Sequence, residues 1–174
     1  KTIFMLINFF EEVNKMMGTP ISKKESPVEN KKNEYEKTLE GAALPVALAG
    51  IYHLATSEAG AKQIINHLLN HAEEMDKADS DTSVAITFGN KAEEVITKIT
   101  AYSGANRLDA YGSLNEAARL AYQVMLREIG KDTLATEEVT QFMVAQRHTI
   151  LSHLPEVLQL GHLLGDETID DVSN

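Results

Sequence analysis

The residues best placed to do chemistry are two histidines four apart. His67 and His71 share one side of a helical wheel, with Glu74 three residues further on. Spacing of i, i+4 lets two imidazoles reach one metal ion. A zinc protease helix would also need the His-Glu-x-x-His order, with its general base between the ligands. Here Leu68, Leu69 and Asn70 fill that interval. The expectation is a polar helix flank with two half-exposed histidines. A weak metal-binding protein or metalloenzyme using His67 and His71 is the alternative.

Other constellations are poorer. His148 and Ser152 form an i, i+4 pair, and His153 and His162 lie nearby. No nucleophile elbow or oxyanion hole accompanies them, so helix-surface roles are expected. The carboxylate pairs Glu11-Glu12, Glu73-Glu74, Glu93-Glu94 and Glu137-Glu138 are adjacent in sequence. Neighbours on a helix point about 100° apart, whereas paired acid/base catalysts must face each other across a cleft. No two Glu-x-x-His motifs suggest a di-metal bundle. Neither G-x-G-x-x-G nor G-x-x-x-x-G-K occurs, so no phosphate-cradling loop is expected. The chain has no cysteine, which excludes disulfides and thiolate chemistry. These readings imply no catalytic residue, no cofactor and no enzyme.

Composition bounds the rest. The 174 residues fit one domain, or one domain with an appended arm. Hydrophobic residues at 43% and charged residues at 24% are globular values. The formal charge of −10 argues against nucleic acid, which requires a concentrated positive field. The longest apolar run, Ala42–Ile51, is shorter than the about 20 residues of a membrane span. Lys1–Phe10 resembles a signal segment only loosely, since no small-residue cleavage site follows. A cytoplasmic protein is expected, with envelope association as the alternative.

The elements that must position these side chains all read as helical. Residues 2–17 form an amphipathic arm with Ile3, Leu6, Ile7, Phe10, Val13 and Met17 recurring at intervals of three and four. Such a face either packs on its own core or docks on a partner. Residues 18–33 read as a linker with two Pro, two Ser and four Lys. Residues 34–55 form one or two helices, with a break near Gly41 and Pro45 in a first turn. The run Ala42–Ala49 is apolar all round and is expected to be the central buried helix. Residues 58–76 follow, with Ile64, Ile65, Leu68, Leu69, Ala72 and Met75 on one face.

Asp76–Ser83 reads as a loop, and Val84–Phe88 is the one strand candidate. Asn90 with Glu93, and Ser113 with Glu116, read as two helix starts. Gly104 and Gly130 read as the corresponding stops. Thr136 is expected to cap a helix running to about His153. A short helix from Pro155 to Gly165 precedes a frayed acidic tail, 166–174. The fold class is all-α, six to eight helices without a sheet.

Three blocks carry a family resemblance. They are Leu39-Glu-Gly-Ala-Ala-Leu-Pro45 through Ala61, then Ile99-Thr-Ala-Tyr-Ser-Gly104 with Leu114-Asn-Glu-Ala-Ala118, then Val144–Pro155 with Leu163-Leu-Gly165. Over about residues 34–165 the chain resembles the YidB-like family, an all-helical bacterial domain of unknown function. The resemblance implies no catalytic residue. It raises two associations, a homeodomain-like fold that suggests DNA, and relatives with appended envelope-type domains. The arm at 2–17 and the middle at 76–89 depart from the family pattern. The function expected is a non-enzymatic module that docks a protein partner or self-associates through the N-terminal arm. A homeodomain-like DNA binder is a further alternative.

Overall fold

The computed structural model describes residues 7–18, 38–70 and 82–170. Within them the elements are α1 (Phe9–Met17), α2 (Leu39–Ala55), α3 (Glu58–Asn70), α4 (Thr82–Phe88), α5 (Ala92–Ser103) and α6 (Arg107–Ile129). They continue as α7 (Thr136–Ala145), α8 (Arg147–His153) and α9 (Leu160–Leu164), with short 3₁₀ turns between and after them. No strand occurs among the described residues, in agreement with the all-α expectation.

The centre is α2. Every residue from Gly41 to Tyr52 is buried, so this helix has no solvent face. It runs unbroken through Gly41, because Thr38 caps it and accepts the Gly41 N–H at 3.0 Å. Gly41 is thus a first-turn residue, and Pro45 lies inside the helix. The far end is closed by Thr140 of α7, whose hydroxyl donates to the Ala55 carbonyl at 2.8 Å. Gly50 lets α4 approach: a Cβ there would sit 2.5 Å from the Phe88 ring.

The second axis is α6, 23 residues and so about 35 Å long. It packs along α2 and carries α1, α4 and α5 on its other sides. Asn106 caps α6 by accepting the Asp109 N–H at 2.8 Å. The helix therefore starts seven residues before the expected Ser113–Glu116 box, which lies in its interior.

Several local expectations are corrected in the same way. Val84–Phe88 is helical, not extended, because a remote side chain supplies its cap: Asn115 of α6 accepts the Val84 N–H at 3.1 Å. The chain then passes through a 3₁₀ turn at Gly89–Lys91, so Asn90 caps nothing and α5 starts at Ala92. Gly104 does close α5, with φ of 81°. Thr136 is the first helical residue and Ala135 the cap position, without a side-chain bond. The expected helix 136–153 is two helices, divided at the buried Gln146. Ser83 is helical; residues 71–81, including Ala72 and Met75 and most of the expected loop, lie outside the described residues.

Candidate functional site

Of the sequence's binding candidates the structure describes Ile7, Phe10, Val13 and Met17, and it packs Phe10 and Val13 inside the protein. α1 starts at Phe9, where Asn8 caps it and accepts the Glu11 N–H at 3.0 Å. Phe9, Phe10 and Val13 are fully buried against the body, and Met17 is partly buried against the same core. The Phe9 ring meets Phe142 edge-on at 5.1 Å, and Phe10 stacks flat on His153 at 4.0 Å. Burying three such side chains contributes roughly 1.5–3 kcal/mol each. Phe10 and Val13 therefore do not form a free docking face in this arrangement. Ile7 is half-buried, and Ile3 and Leu6 lie outside the described residues.

Polar contacts orient the same helix. The Phe9 N–H, an otherwise orphaned first-turn donor, bonds the Gln146 Oε1 at 3.1 Å. Gln146 is thus placed by the α7–α8 break to receive α1. Arg127 on α6 reaches Glu12 at 3.2 Å and Glu128 at 2.8 Å. Its guanidinium is held above its ordinary pKa, first by the Glu128 hydrogen bond, with Glu12 adding and partial burial opposing. Asn14 is a buried polar residue on α1 that sequence reading missed. Its place four residues after Phe10, on the apolar side, was the available signal.

His67 is buried, only 1% exposed, where a half-exposed flank was expected. Its ring meets Tyr122 of α6 edge-on at 4.9 Å. The reason is packing: α3 touches α2, α6 and α7, and the Tyr122 ring of α6 lies against the His67 flank. The Thr87 hydroxyl donates to the Ser83 carbonyl at 2.7 Å, so the Tyr122 hydroxyl donates to Thr87, also at 2.7 Å. Burial pushes the Tyr122 phenol well above its ordinary pKa. With Asn115 and Arg119 also buried, one face of α6 carries an internal polar column. His71 lies outside the described residues, as does Glu74. Among the described residues no three metal-ligating side chains converge.

The other candidates are dispersed. The Ser152 hydroxyl donates to the Thr149 carbonyl at 2.9 Å, while His148 is exposed. Glu93 pairs with Arg107, and its neighbour Glu94 with Lys91. Glu137 accepts from Gln141. The adjacent acids thus point to different partners, as helical geometry requires.

The C-terminal clasp was not foreseen. Residues 166–170 fold onto the body instead of fraying, with Ile169 fully buried; 171–174 lie outside the described residues. His53 of α2 meets Asp166 at 3.2 Å, and Asp166 also accepts from the Thr168 N–H. Asp170 accepts from Gly161 N–H at 2.8 Å and His162 N–H at 3.0 Å. Gly161 is required there, since a Cβ would collide with the Asp166 carbonyl and the Asp170 carboxylate. Arg147 donates to the Thr168 carbonyl. Burial pushes the Asp166 carboxyl up, but the bonds from Thr168 and His53 outweigh it and hold it below its ordinary value. Gln159, His162, Glu167 and Asp170 line a shallow open hollow beside the clasp.

No protein-family model, curated protein or solved structure matches the chain. No single described helix is long and apolar enough to cross a membrane.

Proposed function

We propose that this chain is a non-enzymatic helical module, similar to the YidB-like bacterial domains, that associates through its N-terminal region. The observation that carries this reading is the seating of α1. The body offers α1 a groove made from α6 and α2 with side chains from α7 and α8, and with an aromatic floor, a buried amide and a basic rim. That is the chemistry by which grooves take amphipathic helices. The candidate catalytic side chains engage in packing or local pairing, as for His67 with Tyr122 and Glu93 with Arg107, which accords with a non-catalytic role. In this reading the partner is a protein or a second copy, and the module acts in the cytoplasm or at the envelope.

Removing residues 1–33 tests the reading. Association seen by light scattering or pulldown should be lost. If the shortened chain keeps the same mass and the same partners, the N-terminal region is not the association element.

A further inference from the structure

We propose that α9 and the clasp, residues 160–170, form a strap that opens from the body as one unit and uncovers an apolar flank of α2.

The strap is tied to itself across its length. The Asp170 carboxylate accepts the Gly161 and His162 N–H groups, first-turn donors of α9 that have no helical acceptor. The Asp166 N–H returns to the Gly161 carbonyl at 2.8 Å, and the Ile169 N–H to the Asp166 carbonyl at 3.1 Å. Thr168 closes on the Asp166 carboxylate through both its N–H and its hydroxyl. α9 has five residues, and a helix of that length does not persist alone. Its shape depends on the clasp that crosses it, so the two move together.

Fewer polar bonds tie the strap to the body. Among the described residues, His53 of α2 meets Asp166 at 3.2 Å, and Arg147 of α8 donates to the Thr168 carbonyl at 3.0 Å. Each involves a charged group and is partly exposed, so salt weakens it. The apolar anchors are Leu160 and Ile169, both buried, with Leu163 and Leu164 half-buried on the core. At the base of the strap Gln159 has φ of 48°, the one non-glycine among the described residues in the left-handed region. A side chain strains the backbone there, and lifting the strap at that residue relieves the strain. A segment bonded mainly within itself, on a strained hinge, opens more readily than the whole fold unfolds.

Beneath the strap lie α2 and α5. α2 has no solvent face while the strap is closed, since every residue from Gly41 to Tyr52 is buried. Lifting α9 gives it one, beside His53. The strap is thus a cover over the central helix, latched by charge.

Amide hydrogen exchange on the full chain, read residue by residue by NMR, tests the opening. The Gly161, His162, Asp166 and Ile169 amides should share one protection level, roughly 100-fold or more below that of Leu48 in α2. Arg147→Gln should lower all four alike, by about three- to tenfold. Gly161 and His162 are the decisive pair, because their N–H groups bond Asp170 and not Arg147. In the unmodified protein, raising sodium chloride from about 0.05 M to about 0.5 M should also lower the four together, by roughly two- to threefold. That second reading does not depend on the folding of the variant. Protection equal to that of Leu48 would overturn the proposal, since the strap would then open only with the whole fold. A response that leaves Gly161 and His162 unmoved would overturn it too, since the two ends would then fray separately.

Discussion

The ring of Phe10 lies flat on the imidazole of His153, with 4.0 Å between centroids and 16° between planes. One residue before, Phe9 is fixed by its N–H to Gln146 and by its ring to Phe142. Sequence separations of well over one hundred residues are thereby closed at one corner of the fold. That corner is where the N-terminal helix joins the body.

Phe9→Ala or Phe10→Ala should therefore destabilise the whole domain, by about 3–5 kcal/mol, since each leaves a cavity in a filled core. Urea unfolding followed by circular dichroism reads this directly. A loss below about 1 kcal/mol would mean that α1 does not contribute to the core in solution.

Gln146→Leu keeps the volume but removes the acceptor for the Phe9 N–H. Leaving a buried donor unsatisfied costs about 1–3 kcal/mol. Amide exchange at Phe9 should accelerate beyond that of the other α1 amides. Unchanged exchange at Phe9 would show that the bond is not maintained.

Tyr122→Phe removes the donor to Thr87 and leaves that hydroxyl oxygen buried without it. A loss of about 1–2 kcal/mol is expected, largely recovered in the Tyr122→Phe/Thr87→Val double variant. Because burial raises the Tyr122 phenol, ultraviolet titration should show it ionising only as the protein unfolds in alkali. Ionisation of Tyr122 while the protein is still folded would contradict that placement.

The clasp has a defined pH dependence. Asp166 has a folded-state pKa below its ordinary 3.8, so the unfolded chain binds its proton more readily. Its stabilising contribution is present above about pH 3.8 and is lost as pH falls through the lower folded value. Asp166→Asn should lower the thermal midpoint at neutral pH and flatten the acid limb of the midpoint-versus-pH curve. An unchanged acid limb would remove Asp166 from the account. The pair is partly exposed, 35% for the His53 side chain and 22% for Asp166, so the effect should be small and weaker in salt.

Elemental analysis of protein purified without chelator should find no stoichiometric metal. His67 lies against Tyr122 inside the body, away from an open coordination position. One equivalent of zinc, lost in His67→Phe, would restore the metal reading.

The all-α class and the central helix were legible because Ala42–Ala49 is apolar on every side, a pattern that only full burial satisfies. The stops at Gly104 and Gly165 were legible because left-handed backbone favours glycine. The starts were less so. Asn90–Glu93 and Ser113–Glu116 match the capping pattern locally, but α5 starts at Ala92 without a side-chain cap, and Asn106 caps α6 seven residues earlier than Ser113. The α4 bond comes from the remote Asn115. Tertiary side-chain caps leave no local signature. The candidate site was half-legible. Periodicity marked the apolar stripe of α1, yet the groove facing it comes from Arg127, Phe142, Gln146 and His153, over a hundred residues away. His67 misled for the same reason, since burial of a helix flank depends on which helix lies over it.

The proposal that α1 is the element of association is tested most directly by sedimentation equilibrium at rising concentration. Two proteins are compared: the unmodified chain, and an E12C/R127C variant of this cysteine-free sequence whose two thiols are joined by a short bis-maleimide in dilute solution, so that α1 stays closed on its own body. The unmodified chain should rise above 19.2 kDa with concentration, while the linked chain stays near that mass. Identical curves for the two would contradict the claim.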